Sequence, residues 1–391
     1  MGVVGTAKDK KGTGMNRRDM LTGAAAMVAT SSDIGAAMAQ PTGKWDTAKL
    51  DDAAKVMDGW IADGRVQGAS ILVTQGAHRY ARNFGTAQSR EKGQEPVFLL
   101  ASITKPITAA AVMTLVDAGQ LSLGDKVAKF FPAFTGEGRE TITVRHCLTH
   151  TGGLPDMLAD DEMLREKHAA LADYREGAIK APLKFAPGSK YSYSSMGILL
   201  SAEIAQKITG KSFPDIVEDR VFKPLGMHHT GYGLRGRANS TTVPSQGAPA
   251  MTEAGKKSWN SWNWNSAYWR NLGAPWGGAL GSAADIARFY EEFLNQRGRI
   301  LKPATESLMI TNQSPSGVKA SGLGFDLPPS VGAPSCGPRT FGHNGSTGTY
   351  SWADPDTGTV CVVLTSLYEA AVRPHPIHLV GDLVAQAVAK A

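Results

Sequence analysis

Two pairs of short runs rich in β-branched and aromatic residues predict β-hairpins. The first pair occupies residues 68–85 (GASILVTQGAHRYARNFG) and meets at Gln75-Gly76, where glycine suits a tight turn. The second pair occupies residues 349–366 (TYSWADPDTGTVCVVLTS), with the turn-forming sequence DPDTG at its centre. The pattern therefore predicts antiparallel strands near both ends of the chain.

Apolar residues elsewhere recur at the spacing of a helix. In residues 104–125 (TKPITAAAVMTLVDAGQLSLGD) they predict a buried helix that stops near Gly119. Residues 377–391 (IHLVGDLVAQAVAKA) predict a closing helix. Helical patterns and loops also dominate the middle of the chain.

Strands at both ends around a helical middle indicate the α+β class. We expect one antiparallel sheet, flanked by helices, built from residues 41–100 together with residues 280–391. Residues 101–279 would then form an inserted, mainly helical domain, with the functional site at the junction of the two.

Composition excludes some partners. The chain has 391 residues, of which 42% are hydrophobic and 19% are charged, as in an ordinary globular protein. Its net charge is +6, but no run of like charges or basic stripe stands out, which argues against a nucleic-acid partner. After the amino-terminal segment, no apolar stretch approaches the roughly 20 residues of a membrane-spanning helix, so we expect no membrane span.

The first 40 residues resemble a bacterial twin-arginine export signal. Arg17 and Arg18 precede a mildly apolar stretch, and the sequence AMA at residues 37–39 offers a cleavage site. Residues 1–40 are therefore predicted to direct export to the periplasm. A basic tail is the alternative interpretation, and Met15 is an alternative start.

Cysteine and histidine positions do not predict a metal site. Cys147, Cys336 and Cys361 are too few and too scattered for a zinc site or a disulfide framework, although one bridge could form in the periplasm. Cys361 lies in an apolar, strand-like run and is expected to be buried. His146 and His150 are four residues apart without an acidic third ligand beside them, so we expect structural roles.

The stretch LLASITKP, residues 99–106, places a serine and a lysine three positions apart at a helix start. At that spacing Ser102 and Lys105 share a helix face, so the amine can reach the hydroxyl. A desolvated lysine loses its proton more readily, and the neutral amine can then make the serine a nucleophile. The helix amino terminus also stabilises negative charge at the reacting centre. Alone, the pair equally fits a capping serine and a solvated lysine.

Further segments follow the Ser-x-x-Lys pair in order. They are TITVRHCLTHTGGLP at residues 141–155, FAPGSKYSYSSMGILL at residues 185–200, WGGALGSAADIARF at residues 276–289 and FGHNGSTGTY at residues 341–350. This set resembles the serine β-lactamase and penicillin-binding-protein-like hydrolases, especially the class C-like branch that includes the family VIII carboxylesterases. The resemblance runs from about residue 50 to the end of the chain.

The resemblance implies a set of catalytic residues. Ser102 corresponds to the nucleophile and Lys105 to the lysine that activates it. Tyr193 corresponds to the tyrosine of a Tyr-x-Asn element. As a phenolate or a hydrogen-bonded phenol it would shuttle a proton to the leaving group, provided that Lys105 favours the charged form. Tyr191 lacks the register of this element and is expected to pack. The backbone amides of Ser102 and Ser346 would form an oxyanion hole, and no metal or cofactor is needed.

The resemblance also implies substrate-binding residues, with two departures from the family pattern. Gly345 lies in a strand beside the site and would let the acyl group lie close. Ser195 replaces the asparagine of Tyr-x-Asn, and His343 replaces the lysine of Lys-Thr-Gly. These changes remove an amide and a permanent cation, which disfavours anionic, peptide-like substrates.

The stretch SWNSWNWNSAYWRNLGAPW, residues 258–276, holds five of the eight tryptophans and shows no regular periodicity. We expect a loop whose rings either line an acyl or alcohol pocket or simply cover the helical domain. The candidate pocket residues are Trp259, Trp262, Trp264, Trp269 and Trp276.

Together, the motifs predict an exported serine hydrolase that cleaves small carboxylic esters through an acyl-enzyme intermediate. A D-amino-acid amidase, a D,D-peptidase or a weak β-lactamase would use the same catalytic residues. Outside the enzymes, the alternative is a catalytically silent penicillin-binding module. The expected partner is a small-molecule ester or amide.

Overall fold

The computed structural model describes residues 1–2, 45–88, 94–249 and 251–388, and the described residues from 45 onwards form one compact unit. The predicted export signal, with Arg17 and Arg18, falls almost entirely outside the described residues and stays a prediction. Within the described part of the chain, no helix is both long enough and apolar enough to cross a membrane.

Strands from both ends of the chain pair into one antiparallel sheet, as the hydrophobic pattern predicts. The main sheet has five strands, and both predicted hairpins belong to it. The first hairpin turns at Gly76, whose φ of 58° suits glycine. In chain order, the strands of the described residues are β1 Gly68–Gln75, β2 His78–Gly85, β3 Phe98–Leu99, β4 Gly231–Tyr232, β5 Ala279–Gly281, β6 Phe341–Gly345, β7 Thr349–Asp354 and β8 Thr359–Thr365. The main sheet has the order β2-β1-β8-β7-β6, and a smaller sheet has the order β3-β5-β4.

Helices make up most of the middle of the chain. In the described residues, the α-helices are α1 Thr47–Ala62, α2 Thr104–Asp117, α3 Val127–Phe130, α4 Val144–Leu148, α5 Asp161–Glu166, α6 Leu171–Lys180, α7 Ser195–Thr209, α8 Phe213–Val217, α9 Lys223–Leu225, α10 Glu253–Trp262, α11 Ala267–Leu272, α12 Ala283–Asn295, α13 Pro303–Met309 and α14 Pro376–Val388. Short 3₁₀ turns occupy Ala101–Ile103, Arg139–Thr141, Asn239–Thr241 and Glu369–Ala371, and a π-helical turn occupies Glu218–Phe222. The predicted α+β class is confirmed, whereas the boundaries at residues 41–100, 101–279 and 280–391 stay a prediction.

Helices cover both faces of the main sheet. Side chains alternate between the faces, so Ile71 joins the core under α1 and α14 while Leu72 joins the core on the α12 side. The predicted closing helix is α14, and Cys361 is buried beneath it, as expected. All three cysteines are free thiols, so the bridge considered from the sequence does not form. Cys147 and Cys361 lie in separate cores.

Helix α2 forms the centre of the helical region. It is buried from Thr104 to Leu115 and packs against α7, so apolar burial stabilises it. It ends at Asp117, just before Gly119 with its φ of 68°, close to the predicted stop. Because α2 is held along nearly its whole length, the turn at its amino terminus is held as well.

The tryptophan-rich stretch is largely helical, which corrects the loop expected from the sequence. Helix α10 begins at Glu253 and is capped by Thr252, whose hydroxyl accepts a hydrogen bond from the Gly255 amide. Ser266 caps α11 in the same way. Only the last turn and a half of α10 falls within residues 258–276, so its helical period is not visible in that stretch.

Candidate active site

Ser102 lies in the tight turn Ala101–Ile103 that leads into α2. Ala101 has a φ of 46°, in the left-handed region that residues with a side chain rarely adopt. Strand β6 approaches this turn closely, because a Cβ at Gly345 would lie 2.5 Å from the Leu100 carbonyl oxygen and 3.1 Å from the Ala101 Cβ. Gly345 therefore makes room for the turn rather than for an acyl group, which corrects its predicted role.

Lys105 places an amine beside the hydroxyl of Ser102. Its Nζ lies 3.0 Å from Ser102 Oγ and 2.8 Å from the Trp276 carbonyl oxygen. Lys105 is 1% exposed, and burial lowers its pKa to about 8, although the charges of Asp156 and Asp326 oppose this shift. At pH 7 roughly a tenth of the amine is therefore neutral.

Tyr193 faces the same serine from the loop before α7. Its hydroxyl is hydrogen-bonded to Ser102, and its ring centroid lies 4.5 Å from Lys105 Nζ. Burial raises the pKa of Tyr193 well above its usual value, by more than the bond to Ser102 lowers it. The phenol is therefore protonated, which favours the hydrogen-bonded phenol over the phenolate, the two forms considered for Tyr193 from the sequence. Tyr191 packs edge-on against His150 and does not line the cavity that contains Tyr193.

Two backbone amides lie where they could stabilise an oxyanion beside the nucleophile. Ser346 follows β6 directly, and Ser346 and Ser102 line the same cavity. The Thr347 hydroxyl donates to the Leu99 carbonyl oxygen at 2.6 Å and ties the Ser346 loop to the turn before Ser102. Among the described residues, neither the Ser102 amide nor the Ser346 amide donates to an acceptor. Both N–H groups are thus available to a substrate oxygen.

Ser102, Lys105 and Tyr193 line one cavity of about 390 Å³. One side of its wall is aromatic and includes four of the five predicted tryptophans: Trp262, Trp264, Trp269 and Trp276. Trp259 is not part of the wall. It packs behind the others, with its ring centroid 4.7 Å from that of Trp262 and 6.0 Å from that of Trp264.

Acidic side chains that the sequence does not predict also line this cavity. Asp156 Oδ1 accepts hydrogen bonds from the Ser195 hydroxyl at 2.6 Å and from the Ser195 amide at 3.1 Å. Asp161 and Glu162 follow on α5, and Asp161 forms an ion pair with Arg165 at 3.0 Å. Asp156 immediately follows one of the motifs noted in the sequence, but a single carboxylate in a loop carries no spacing signal.

His343 is buried in β6 and does not line the cavity, which corrects its predicted contact with substrate. Its Nδ1 lies 2.6 Å from the Asn344 carbonyl oxygen and donates to it, whereas Nε2 lies 3.7 Å from a carboxylate oxygen of Asp326. Burial lowers the pKa of His343 in spite of Asp326. The ring is therefore neutral at pH 7, and it does not replace the cation of a Lys-Thr-Gly lysine.

The two histidines of the segment after residue 141 have different surroundings. His146 caps α4, where its Nδ1 accepts a hydrogen bond from the Thr143 amide at 3.3 Å. His150 packs beside Tyr193, with ring centroids 4.8 Å apart. Among the described residues, no group of three His, Cys, Asp or Glu side chains is placed to hold a metal ion.

Arg270 supports the aromatic wall from behind. It is 1% exposed, and its Nε donates to the Trp264 carbonyl oxygen at 2.7 Å. Its other nitrogens donate to the Val243 carbonyl oxygen and to the side chains of Thr242 and Asn265. All these acceptors are neutral, and burial lowers the pKa of Arg270 to about 10. The bonds fix the segment that carries Trp264, and with it one wall of the cavity.

The fold and this arrangement of side chains agree with the resemblance to the serine β-lactamases and penicillin-binding-protein-like hydrolases. A family model described as Beta-lactamase matches residues 52–380, and the chain belongs to that family.

Curated relatives match part of the chain. It is similar to Protein flp of Staphylococcus aureus (strain MW2), with 28% identity over 219 residues, and to Penicillin-binding protein 4* of Bacillus subtilis (strain 168), with 33% identity over 169 residues. These matches cover 53% and 41% of this chain, and 43% and 37% of the two relatives. The matched part of the chain thus spans less than half the length of either relative.

Solved structures match nearly all of the described fold. One is EstCE1, a hydrolase with promiscuous acyltransferase activity, with a TM-score of 0.70 and 21% identity over 86% of this chain and 99% of that one. Another is the D-amino acid amidase from Ochrobactrum anthropi SV3, with a TM-score of 0.68 and 22% identity over 87% and 98%. At such identities the likeness shows the fold alone.

Proposed function

We propose that this protein hydrolyses small carboxylic esters through an acyl-enzyme formed on Ser102. The observation that carries the proposal is the 3.0 Å distance between Lys105 Nζ and Ser102 Oγ, at a lysine whose pKa is lowered to about 8. An amine that is partly neutral near pH 7 can accept the serine proton. Tyr193 adds a protonated phenol on the same hydroxyl.

In acylation, neutral Lys105 takes the proton of Ser102 while Oγ attacks the ester carbonyl carbon. The carbonyl oxygen becomes an oxyanion, which the amides of Ser102 and Ser346 stabilise. As the C–O bond to the alcohol breaks, Tyr193 donates its proton to the leaving oxygen, and the Lys105 ammonium restores the phenol. The alcohol departs, and the acyl group stays on Ser102 with Lys105 neutral again.

In deacylation, a water molecule attacks the acyl carbon and gives its proton to Lys105. A second oxyanion forms at the same two amides and collapses when the bond to Ser102 Oγ breaks. The Lys105 ammonium returns its proton to Ser102 Oγ. The carboxylic acid is released, and all three side chains recover their starting protonation states.

Charges around the cavity favour neutral substrates. Among the described lining residues the cations are Lys105, which acts as the base, and Arg165, which is paired with Asp161. In the active form of the site, in which Lys105 is neutral, a substrate carboxylate would therefore find no free cation there. An anion that leaves water without a partner loses at least about 1–3 kcal/mol of binding free energy.

A second candidate function, the hydrolysis of amino-acid amides, is favoured by Asp156. The Ser195 side chain and amide occupy Oδ1, whereas Oδ2 accepts no hydrogen bond within the described residues. A carboxylate in the cavity wall can pair with the ammonium group of an amino-acid substrate through charge-assisted hydrogen bonds. The likeness to the D-amino acid amidase is a likeness of fold and adds no substrate information.

A substrate panel distinguishes the two candidates. We expect kcat/KM for p-nitrophenyl acetate and butyrate to exceed that for amino-acid amides and a cephalosporin by at least about 100-fold. Faster turnover of an amide, lost in Asp156→Asn, would instead support the amidase. Ser102→Ala is the control and should abolish turnover, because it removes the nucleophile. The variant should still fold, because the Ser102 side chain caps neither the turn nor α2. A folded Ser102→Ala variant that keeps a tenth of the wild-type activity would refute the mechanism. If a fluorophosphonate fails to label Ser102 in the wild-type protein, the result would support a catalytically silent binding module.

A further inference from the structure

We propose that His150 is a positioning residue that holds Tyr193 and affects Ser102 only through that tyrosine. The inference rests on the proposed role of Tyr193 in proton transfer. His150 lies in the loop after α4, and Tyr193 lies in the loop before α7, so tertiary folding brings the two together.

Hydrogen bonds to His150 lie on both sides of Tyr193 along the chain. The backbone oxygen of His150 accepts from the Ser192 amide at 3.0 Å, and its ring Nδ1 accepts from the Ser194 amide at 3.1 Å. Tyr193 is the residue between these two amides. The pair of bonds fixes the local backbone and therefore the direction in which the Tyr193 side chain leaves it.

The imidazole ring adds a direct contact with the phenol ring. The two ring centroids are 4.8 Å apart, and the ring planes are tilted by 40°. His150 is 3% exposed and has a φ of 60°, a left-handed conformation that is unfavourable for a residue with a Cβ. Such a conformation persists where surrounding contacts determine it, and here those contacts join His150 to residues 192–194.

The bond from the Ser194 amide requires an unprotonated Nδ1. Burial lowers the pKa of His150, and the charges of Lys105 and Lys319 lower it further, so this pKa stays well below its usual value. The acceptor is thus present throughout the pH range in which Lys105 titrates, and the proposed role of His150 does not depend on its own protonation.

Two substitutions separate the hydrogen bond from the ring contact. His150→Asn places Oδ1 where Nδ1 lies, so it keeps an acceptor, and asparagine tolerates the left-handed backbone. His150→Phe keeps a ring and loses the acceptor. The matched control is His146→Phe, which removes a similar bond from the Thr143 amide to a ring Nδ1 away from Tyr193.

The experiment measures kcat and KM for p-nitrophenyl butyrate and the rate at which a fluorophosphonate labels Ser102, in variants shown to be folded by circular dichroism. We expect His150→Phe to lower kcat and the labelling rate at least about 30-fold with little change in KM, because the acid–base group is misplaced. In His150→Asn, kcat and the labelling rate should stay within about fivefold of the wild-type values. In His146→Phe, both should equal the wild-type values. In a Tyr193→Phe background, His150→Phe should add less than about a threefold loss.

The proposal would be overturned if His150→Phe lowered kcat in the Tyr193→Phe background as much as it does in the wild type. It would also be overturned if the His150→Phe variant were labelled at the wild-type rate. Equal losses of kcat in His150→Phe and His150→Asn would have the same meaning. If His150→Phe does not fold, His150→Gly, which suits a φ of 60°, is compared with His150→Asn in its place. Labelling does not require ester turnover. A wild-type protein that is labelled on Ser102 but cleaves no ester would refute the esterase and still test His150.

Discussion

Replacing Asp156 with asparagine is expected to move the pH dependence of catalysis to lower pH. Lys105 acts as a base only when it is neutral, so the rate should rise as pH increases through its pKa of about 8. The charges of Asp156 and Asp326 raise this pKa against the effect of burial. Asp156→Asn removes one of the charges and keeps an oxygen that can accept the bonds from Ser195.

The size of the effect follows from the fraction of neutral amine. With a pKa of about 8, roughly a tenth of Lys105 is neutral at pH 7 and nine tenths at pH 9, so kcat/KM should rise about tenfold between them. A lysine with the ordinary pKa would be less than about 0.1% neutral at pH 7. Loss of a charge in a partly solvated cavity should lower the pKa by about half a unit to one unit. That shift raises kcat/KM at pH 7 about two- to fivefold.

The assay is kcat/KM for p-nitrophenyl butyrate between pH 6 and pH 10, corrected for spontaneous hydrolysis. Glu162→Gln is the matched control, because Glu162 lines the same cavity but is not among the charges that shift the pKa of Lys105. Its pH profile should match the wild type. A profile for Asp156→Asn that stays in place or moves to higher pH would refute the electrostatic reasoning, and a wild-type midpoint below pH 6 would exclude Lys105 as the titrating base.

Three further changes test other parts of the structure. Tyr193→Phe should lower kcat by about 10² to 10⁴ through the lost proton donor, while Tyr191→Phe should be nearly neutral; steady-state kinetics showing the reverse would assign the role to Tyr191. Arg270→Met should lower kcat/KM for p-nitrophenyl octanoate at least about tenfold, because Trp264 loses the hydrogen bond that holds its backbone. The same variant should lower kcat/KM for p-nitrophenyl acetate less than about threefold. Arg139→Met, at a buried arginine that also donates to carbonyl oxygens, is the control and should not alter the chain-length profile. Burial and Glu292 raise the pKa of Glu306 to about 8, so the folded state holds a proton that the unfolded state loses above about pH 4.3. Glu306 should therefore contribute a fall of on the order of 2 kcal/mol in the free energy of unfolding between pH 6 and pH 8, measured in urea titrations. This contribution to the fall should be absent in Glu306→Gln; an unchanged fall in that variant would contradict the assignment.

The sequence predicts the catalytic residues because part of their chemistry depends on local spacing. Ser102 and Lys105 are one helical turn apart, and Tyr193 keeps a fixed distance from Gly197 in its motif. Asp156 and Asp326 reach the site from loops whose positions depend on tertiary packing, so no spacing identifies them. Their effect on the pKa of Lys105 becomes visible only when the fold is known.

The fold, like the site, has features that local sequence predicts and features that depend on tertiary packing. The hairpin at Gly76 is predictable because turn chemistry is local. Helix α10 is missed because its cap, Thr252, lies before the tryptophan-rich stretch. The role of Gly345 is also misassigned, since a missing side chain shows that space is needed but not which neighbour fills it. Only the tertiary packing of β6 on the turn at Ala101–Ile103 brings Gly345 against the Leu100 carbonyl oxygen.

The two departures from the family pattern have a common electrostatic consequence. Ser195 is engaged by a carboxylate, Asp156, where the family pattern has an amide that faces substrate. His343 is a neutral, buried ring where the pattern has a lysine. Asp156 therefore places a negative charge beside Ser195, and His343 lacks the positive charge that a lysine would carry. The lowered pKa of Lys105 also removes part of its positive charge near neutral pH. Because all three effects act against a substrate anion, the preference for neutral esters should survive the loss of any one of them.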